Sequence, residues 1–412
     1  MKFLRASAFS IVLGSVTATT LAAGMLAGVF AATPAQAEAR LLVDAQTGKV
    51  LQAENATYPW YPASLSKLMT LYVTLSAIRD HRITFDTLFT VTRNAYAQAP
   101  TKMGFPIGTQ VTVDNAIKMM MVKSANDMAV LLAEGIDGSI DKFAEEMTLT
   151  AQSLGMTETN FVNPNGLPAD GQITSARDLA MLARALLHQF PQYSFYWHIP
   201  AIKYGKRVVR NYNPLLGRYP GADGMKTGFI CAGGFNLLAT ATRGNKQLIA
   251  VVLGAPSGAQ RAVTAAEMLE SGFTQNPLSW LMPSLGNVDD LKPINVAPLN
   301  LKDEMCGRHR HHEEETDADD ETVANTAGDT NSQFSVLLSA LRAPSAKNAN
   351  LLSDLAPVEP ILVYTGPTRI PGAPVPAAAR RPVVAASTGP LPHPAPKLKP
   401  KPKPKLAAKP KT

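Results

Sequence analysis

Strand patterns stand at both ends of the patterned part of this 412-residue chain and helical patterns fill its middle, so the two ends are expected to meet in one sheet. Residues 41–45 and 49–53 are apolar-rich runs separated by Gln46-Thr47-Gly48, which predicts a hairpin. Strand signals return at residues 225–229, 235–242 and 247–253, the last two joined by the turn Gly244-Asn245. Between these ends, Leu65, Leu68, Met69, Tyr72 and Val73 fall on one helical face at spacings of three and four. Further helices are predicted over residues 114–121, from Ala125 toward Gly135, over 140–154 up to Gly155, over 176–188 behind an N-cap at Ser175, and over 259–269. Asn163-Pro164-Asn165-Gly166 reads as a turn or loop. The order predicts an α+β fold, an antiparallel sheet flanked by helices with a helical subdomain, spanning residues 38–275.

The flanks are not domain-like. Lys2 and Arg5 precede an apolar stretch over residues 6–32 that closes with Ala35-Gln36-Ala37, so residues 1–37 read as a signal peptide and the chain as exported to the periplasm or cell envelope. The stretch is also long enough to span a bilayer, which makes a retained anchor the alternative. Residues 276–412 read as a low-complexity tail with an acidic tract at about 313–321, an apolar island at 334–341 that predicts a transient helix, and a Pro/Ala/Lys-rich stretch over 357–412.

A formal charge of +7 would suggest nucleic acid or membrane as a partner, but the seven lysines at 397, 399, 401, 403, 405, 409 and 411 account for the whole excess of 39 basic over 32 acidic residues. The body therefore gives no sign of a nucleic-acid footprint. The Lys-Pro alternation suits contact with an anionic envelope polymer or membrane surface, and equally a merely solubilising extension. Two cysteines make no disulfide framework. Cys231 and Cys306 could join in an oxidising compartment, but Cys306 falls beyond the predicted core, so they are expected to stay apart. With His309, His311 and His312, Cys306 could bind a metal adventitiously; no structural metal site is expected in such acidic, flexible surroundings.

Three short motifs carry the chemistry: Ser64-Leu65-Ser66-Lys67, Ser124-Ala125-Asn126 and Lys226-Thr227-Gly228. Each alone reads as well as an ordinary N-cap or strand end. In this order they are the parts of a serine acyl-transfer site whose base is a lysine. Residues three apart share a helix face, so the Lys67 amine can reach the Ser64 oxygen within one turn. A lysine titrating near about 10.4 is useless as a base unless burial or a second cation favours its neutral form; Lys226 is the candidate cation. Ser64 at a helix N-terminus frees backbone N–H groups for an oxyanion, with Phe229 as the second donor. Cys231 as nucleophile lacks a histidine near it in sequence.

Pro62 to Thr70, Ser124-Ala125-Asn126-Asp127 and Asp223-Gly224-Met225-Lys226-Thr227-Gly228 resemble the serine D-Ala-D-Ala carboxypeptidases, the low-molecular-mass penicillin-binding proteins, over about residues 39–273. The resemblance implies a β-lactamase/transpeptidase-like domain that hydrolyses the terminal D-Ala-D-Ala bond of peptidoglycan stem peptides through a serine acyl-enzyme, is acylated by β-lactams, and needs neither metal nor other cofactor. Ser64 would be the nucleophile, Lys67 its base and Ser124 the proton relay. Asn126 would hold the peptide amide, Lys226, Thr227 and Arg261 the terminal carboxylate, and the N–H groups of Ser64 and Phe229, the latter following Gly228, the oxyanion. Phe229 stands where some members carry His, and Tyr212 where others have Thr or Arg; after Phe273 nothing resembles the small β domain and membrane anchor of the better-known members.

Three other readings compete. A DD-endopeptidase would use the same machinery on cross-links. A β-lactamase would need a carboxylate for deacylation, and Glu158-Thr159-Asn160 departs from the expected Glu-x-x-Leu-Asn. An inactive wall-binding protein would not need three intact motifs.

Overall fold

A computed structural model of the protein describes residues 38–274, 284–307, 351–354 and 357–368, all within one compact unit. The expected signal peptide, the histidine and acidic tracts, the island at 334–341 and the Lys-Pro end lie outside the described residues. In chain order the elements are β1 (Ala39–Asp44), β2 (Val50–Glu54), α1 (Ser66–Arg79), β3 (Leu88–Thr90), α2 (Arg93–Ala97), β4 (Gln110–Thr112), α3 (Val113–Val122), α4 (Asn126–Asp137), α5 (Ile140–Ser153) and α6 (Ala176–Gln189). There follow α7 (Phe195–His198), β5 (Ala201–Tyr204), β6 (Arg207–Arg210), β7 (Ala222–Ile230), β8 (Gly234–Arg243), β9 (Lys246–Ala255), α8 (Gly258–Phe273), α9 (Lys302–Cys306) and β10 (Ile361–Leu362).

The main sheet has the order β2-β1-β9-β8-β7, antiparallel throughout. Pairing of β1 with β9, Ala39 opposite Leu253, closes the start of the domain onto its end, as the strand–helix–strand order requires. Side chains alternate across a strand, so β9 sends Ile249, Val251 and Leu253 to one core and Leu248, Ala250 and Val252 to another. The first core packs under α1, α3, α4 and α6; the second is covered by Ala262, Ala265, Ala266 and Leu269 of α8. A strand buried on both faces reads as an unbroken apolar run, which is what residues 248–253 are, and each such Leu, Ile or Val contributes roughly 1.5–3 kcal/mol of burial.

The helices start where their caps stand. Thr112, Ser139, Ser175 and Ser257 each accept a backbone N–H from the first turn of α3, α5, α6 and α8. One expected end is displaced: α4 runs through Gly135 to Asp137 and terminates on Gly138, whose φ of +79° is the left-handed C-terminal geometry. Gly135 is a packing glycine, because a Cβ there would stand 2.3 Å from the Phe89 ring of β3.

Beyond Thr274 the structure corrects the sequence expectation twice. Residues 284–307 return to the body: Val50 N–H donates to Gly286, Val288 N–H to Gly48 and Leu301 N–H to Ala232, and Val288, Leu301 and Met305 are buried. Cys231 and Cys306, expected to stay apart, form a disulfide. The error followed from ending the core at α8; the returning stretch has single apolar anchors without a period, and these give no helix or strand signal. A cystine sulfur is no thiolate ligand, so Cys306 leaves the metal reading as well. The second correction concerns residues 357–368, expected to be extended and mobile. β10 adds a parallel strand beside β5, Val363 is buried, and Gly366 N–H donates to the Gln110 carbonyl of β4. Among the described residues no helix is long and apolar enough to cross a membrane.

Candidate active site

Ser64 lies in a 3-10 turn, Ala63–Leu65, that leads directly into α1, so it stands at a helix start as expected. The preceding Ala63 has φ +48°. Lys67 is one residue inside α1 and fully buried, while Ser64 is half-buried. The Lys67 Nζ is 2.8 Å from Ser64 Oγ and donates to Asn126 Oδ1 at 2.7 Å and to the Asn165 carbonyl at 2.8 Å. Asn126 opens α4 and its Nδ2 donates to the Ala99 carbonyl at 2.9 Å, which turns the amide oxygen toward the lysine. Ser124 sits between α3 and α4 with φ +59°, buried, its carbonyl accepting from Thr101 Oγ1 at 3.1 Å. A non-glycine residue held in the left-handed region is uncommon, and here it marks a forced junction between two helices.

β7 brings the third motif against the Ser64 turn. A Cβ on Gly228 would stand 2.8 Å from Ser64 N, so only glycine permits this approach. Lys226 and Thr227 are buried, and Lys226 Nζ donates to the Thr227 carbonyl at 3.1 Å. The Thr227 hydroxyl is buried without a hydrogen-bond partner among the described residues. Phe229 pairs with Phe235 across β7 and β8, ring centroids 4.3 Å apart. Arg261, from α8, is buried; its Nη1 donates to the Asn236 carbonyl at 3.1 Å and its guanidinium lies 5.7 Å from the Phe235 ring centroid. Asn236 is opposite Gly228 in register, so Arg261 reaches the strand next to β7.

Direct contacts thus join Ser64, Lys67 and Asn126, and Gly228 abuts Ser64; Ser124 follows by its place in the same junction as Asn126. Two participants escaped the sequence analysis. Asn165 lies in the Asn163–Leu167 loop, which reads as a turn and falls within the family resemblance without a role of its own, yet its carbonyl is a partner of Lys67. Its neighbour Gly166, at φ +81°, was the available signal: a Cβ there would stand 1.7 Å from the Ala63 carbonyl oxygen, so the loop is pressed onto the Ser64 turn. Ala99, the partner of Asn126, contributes only a backbone carbonyl, which no sequence pattern encodes.

Two buried acids brace the surroundings. Asp127 accepts from the N–H groups of Met103 and Gly104 at 3.0 and 2.8 Å; burial pushes its carboxyl up and these bonds partly offset that. Asp178, pushed up by burial, accepts from Thr159 Oγ1 and Arg177 at 2.7 Å each. Glu158, the one carboxylate weighed as a deacylating base, accepts from Ile294 N–H at 3.2 Å and is thus engaged by the returning stretch. Among the described residues no group of three or more His, Cys, Asp or Glu side chains is placed to hold a metal.

A family model described as D-alanyl-D-alanine carboxypeptidase matches residues 29–257. The D-alanyl-D-alanine carboxypeptidase DacD of Escherichia coli K12 is 39% identical over 239 residues, 56% of this chain and 62% of that protein, so the chain spans less than two thirds of this relative's length. Among solved structures, penicillin binding protein 6B from Escherichia coli superposes with a TM-score of 0.55 at 38% identity, over 57% of this chain and 77% of that one. Penicillin-binding protein D2 from Listeria monocytogenes, in its ampicillin-bound form, gives 0.53 at 30% identity, over 57% and 97%.

Proposed function

The chain belongs to the D-alanyl-D-alanine carboxypeptidase family, and from that membership we propose that it hydrolyses the terminal D-Ala-D-Ala bond of peptidoglycan stem pentapeptides through an acyl-enzyme on Ser64, and that β-lactams acylate the same oxygen. The observation that carries the reading is the Lys67 amine, buried, 2.8 Å from Ser64 Oγ, with two carbonyl oxygens facing it. A neutral amine has two N–H donors and one lone pair. With the Asn126 and Asn165 oxygens accepting N–H bonds, the neutral amine can present its lone pair to the Ser64 hydroxyl proton. Burial removes the water that would favour the ammonium form.

As Lys67 takes the proton, Ser64 Oγ bonds to the carbonyl carbon of the penultimate D-Ala. The carbonyl oxygen becomes an oxyanion, bound by the N–H groups of Ser64 and Phe229. When the C–N bond breaks, the proton passes through Ser124 to the departing D-Ala amine. Water then adds to the ester carbonyl, Ser64 leaves with a proton, and the shortened peptide is released. Asn126 orients the peptide amide. Lys226 and the Thr227 hydroxyl bind the terminal carboxylate, and Arg261, held against Asn236, supports that end of the site. In a β-lactam the ring C–N bond opens, but the amine stays tethered and blocks water. The N-terminal segment directs the protein to the cell envelope, and the lysine-rich end contacts anionic polymer or headgroups there.

Incubation with a D-Ala-D-Ala pentapeptide should give a tetrapeptide and free D-Ala by mass spectrometry, and a fluorescent penicillin should mark the Ser64 peptide. Ser64→Ala is expected to abolish both. An untouched pentapeptide, or labelling that survives the substitution, overturns the reading.

A further inference from the structure

We propose that Gln98 is a positioning residue for Lys67, acting through Asn165; the inference rests on reading Lys67 as the base. Gln98 follows α2. Its Nε2 donates to the Asn94 carbonyl at 3.1 Å, which aims its Oε1 away from the helix, where it accepts from Asn165 Nδ2 at 2.7 Å. Asn165 Oδ1 in turn accepts from Leu167 N–H at 3.1 Å, so that side chain is held at both ends. The next residue is held too, Gly166 N–H donating to Asn163 Oδ1 at 2.7 Å. These restraints hold the Asn165 carbonyl toward the Lys67 amine.

The adjoining residues do the same for the other acceptor. Ala99 accepts from Asn126 Nδ2, and the Thr101 carbonyl accepts from Asn126 N–H at 2.8 Å. One segment, residues 98–101, therefore orients both of these oxygens toward the amine. Just after this segment, the Asp127 bonds to Met103 and Gly104 fasten the chain to α4. Gln98 is half-buried and bonds to neither Ser64 nor Lys67, so its contribution is orientation alone. Gln98 is also its one member acting by side chain on Asn165, which makes it testable by substitution.

The test is the second-order rate of labelling by a fluorescent penicillin, measured across pH on the full chain. Gln98→Leu, which keeps the bulk and removes both hydrogen bonds, should slow labelling at neutral pH by roughly tenfold, the worth of one hydrogen bond. It should also move the limb governed by the base to more alkaline pH, because a loosened Asn165 loop admits water to the amine. Gln98→Ala must reproduce the effect without the packing demand of leucine. Asn165→Ala should slow labelling comparably, and the double variant with Gln98→Leu should be no slower than the worse single. Wild-type rate and pH profile in the Gln98 variants, or penalties that multiply in the double variant, overturn the proposal. Ser64→Ala run alongside separates the two readings: labelling that survives it removes Lys67 as a base, whereas lost labelling with indifferent Gln98 variants removes only the positioning role.

Discussion

Two glycines set how closely the parts of the site approach each other, and they do so by different physics. Gly166 needs both its left-handed φ of +81° and the missing Cβ, which would meet a backbone oxygen at 1.7 Å. A backbone atom cannot rotate away as a side chain can. Gly166→Ala is therefore expected to cost about 3 kcal/mol or more, the sum of left-handed strain and overpacking, read as a lowered urea midpoint with unchanged slope. Gly228 has an ordinary strand conformation, and its added methyl would press on Ser64 N and the Ala63 side chain at 2.8 and 3.1 Å. In the proposed mechanism that cost falls on the Ser64 N–H, one of the two oxyanion donors. Gly228→Ala should lower the penicillin labelling rate by about a hundredfold, in line with loss of one such donor, while the midpoint shifts by less than in Gly166→Ala. If the two substitutions affect labelling and stability in equal proportion, Gly228 is a packing residue and the close approach has no role in the chemistry.

At the scale of elements, the pairing of α4 with α5 carries a pH dependence of its own. Asp137 at the end of α4 and Glu146 in α5 share Arg82, which lies 3.2 Å from the first and 2.5 Å from the second. Burial, and then the neighbouring Glu146 carboxylate, raise the Asp137 carboxyl to about 6. Its unfolded value is near about 3.9, so between these two the folded state holds the proton more tightly. Stability is then greater below this window and falls as pH rises through it. Because the cluster is near the surface, the effect should be on the order of 1 kcal/mol, well below the full linkage value. Asp137→Asn should flatten stability between about pH 4 and 6, and a melting series in which the variant keeps the parent's slope would show that the proton resides elsewhere.

The elements themselves were legible wherever period and punctuation agreed. Residues 247–253 and the capped helices at Ser139, Ser175 and Ser257 each carry their own signal, and Ser64 and Ser124 could be placed at element ends from the sequence alone. What escaped was structure made by tertiary contact. Residues 88–90 and 110–112, or 201–204 and 207–210, are too short to show a period of two and become strands by pairing with each other. β10 needs β5 as a template. The site divides along the same line: Ser64, Lys67, Ser124 and Lys226 are side chains in motifs, whereas the Ala99 and Asn165 carbonyls are supplied by the path of the backbone.

For the whole molecule, the Cys231–Cys306 disulfide ties the far end of the β7–β8 hairpin to the stretch that follows α8, across 75 residues of chain. Such a loop removes much unfolded-state entropy when it is closed, with a typical worth of about 2–4 kcal/mol. The bridge is not alone in holding the hairpin. Leu301 N–H donates to the Ala232 carbonyl, Trp60 Nε1 to Gly233 at 2.9 Å, and Asn236 Nδ2 to Tyr61 at 2.9 Å, so the hairpin also grips the segment that leads into Ser64. The bonds to Trp60 and Tyr61 hold the hairpin to the segment before Ser64, whereas the disulfide and the Leu301 bond hold it to α9. Replacing both cysteines, Cys231→Ser with Cys306→Ser, should therefore lower the unfolding free energy by about 2–4 kcal/mol and leave the rate of penicillin labelling at 25 °C within about threefold of the parent. Reduction of the parent by a dithiol should shift its melt in the same direction and leave the double variant unmoved. A variant that melts like the parent but labels far more slowly would mean the bridge positions β7 directly, and the hydrogen bonds to Trp60 and Tyr61 would then be too weak to hold Lys226 and Gly228 at the Ser64 turn.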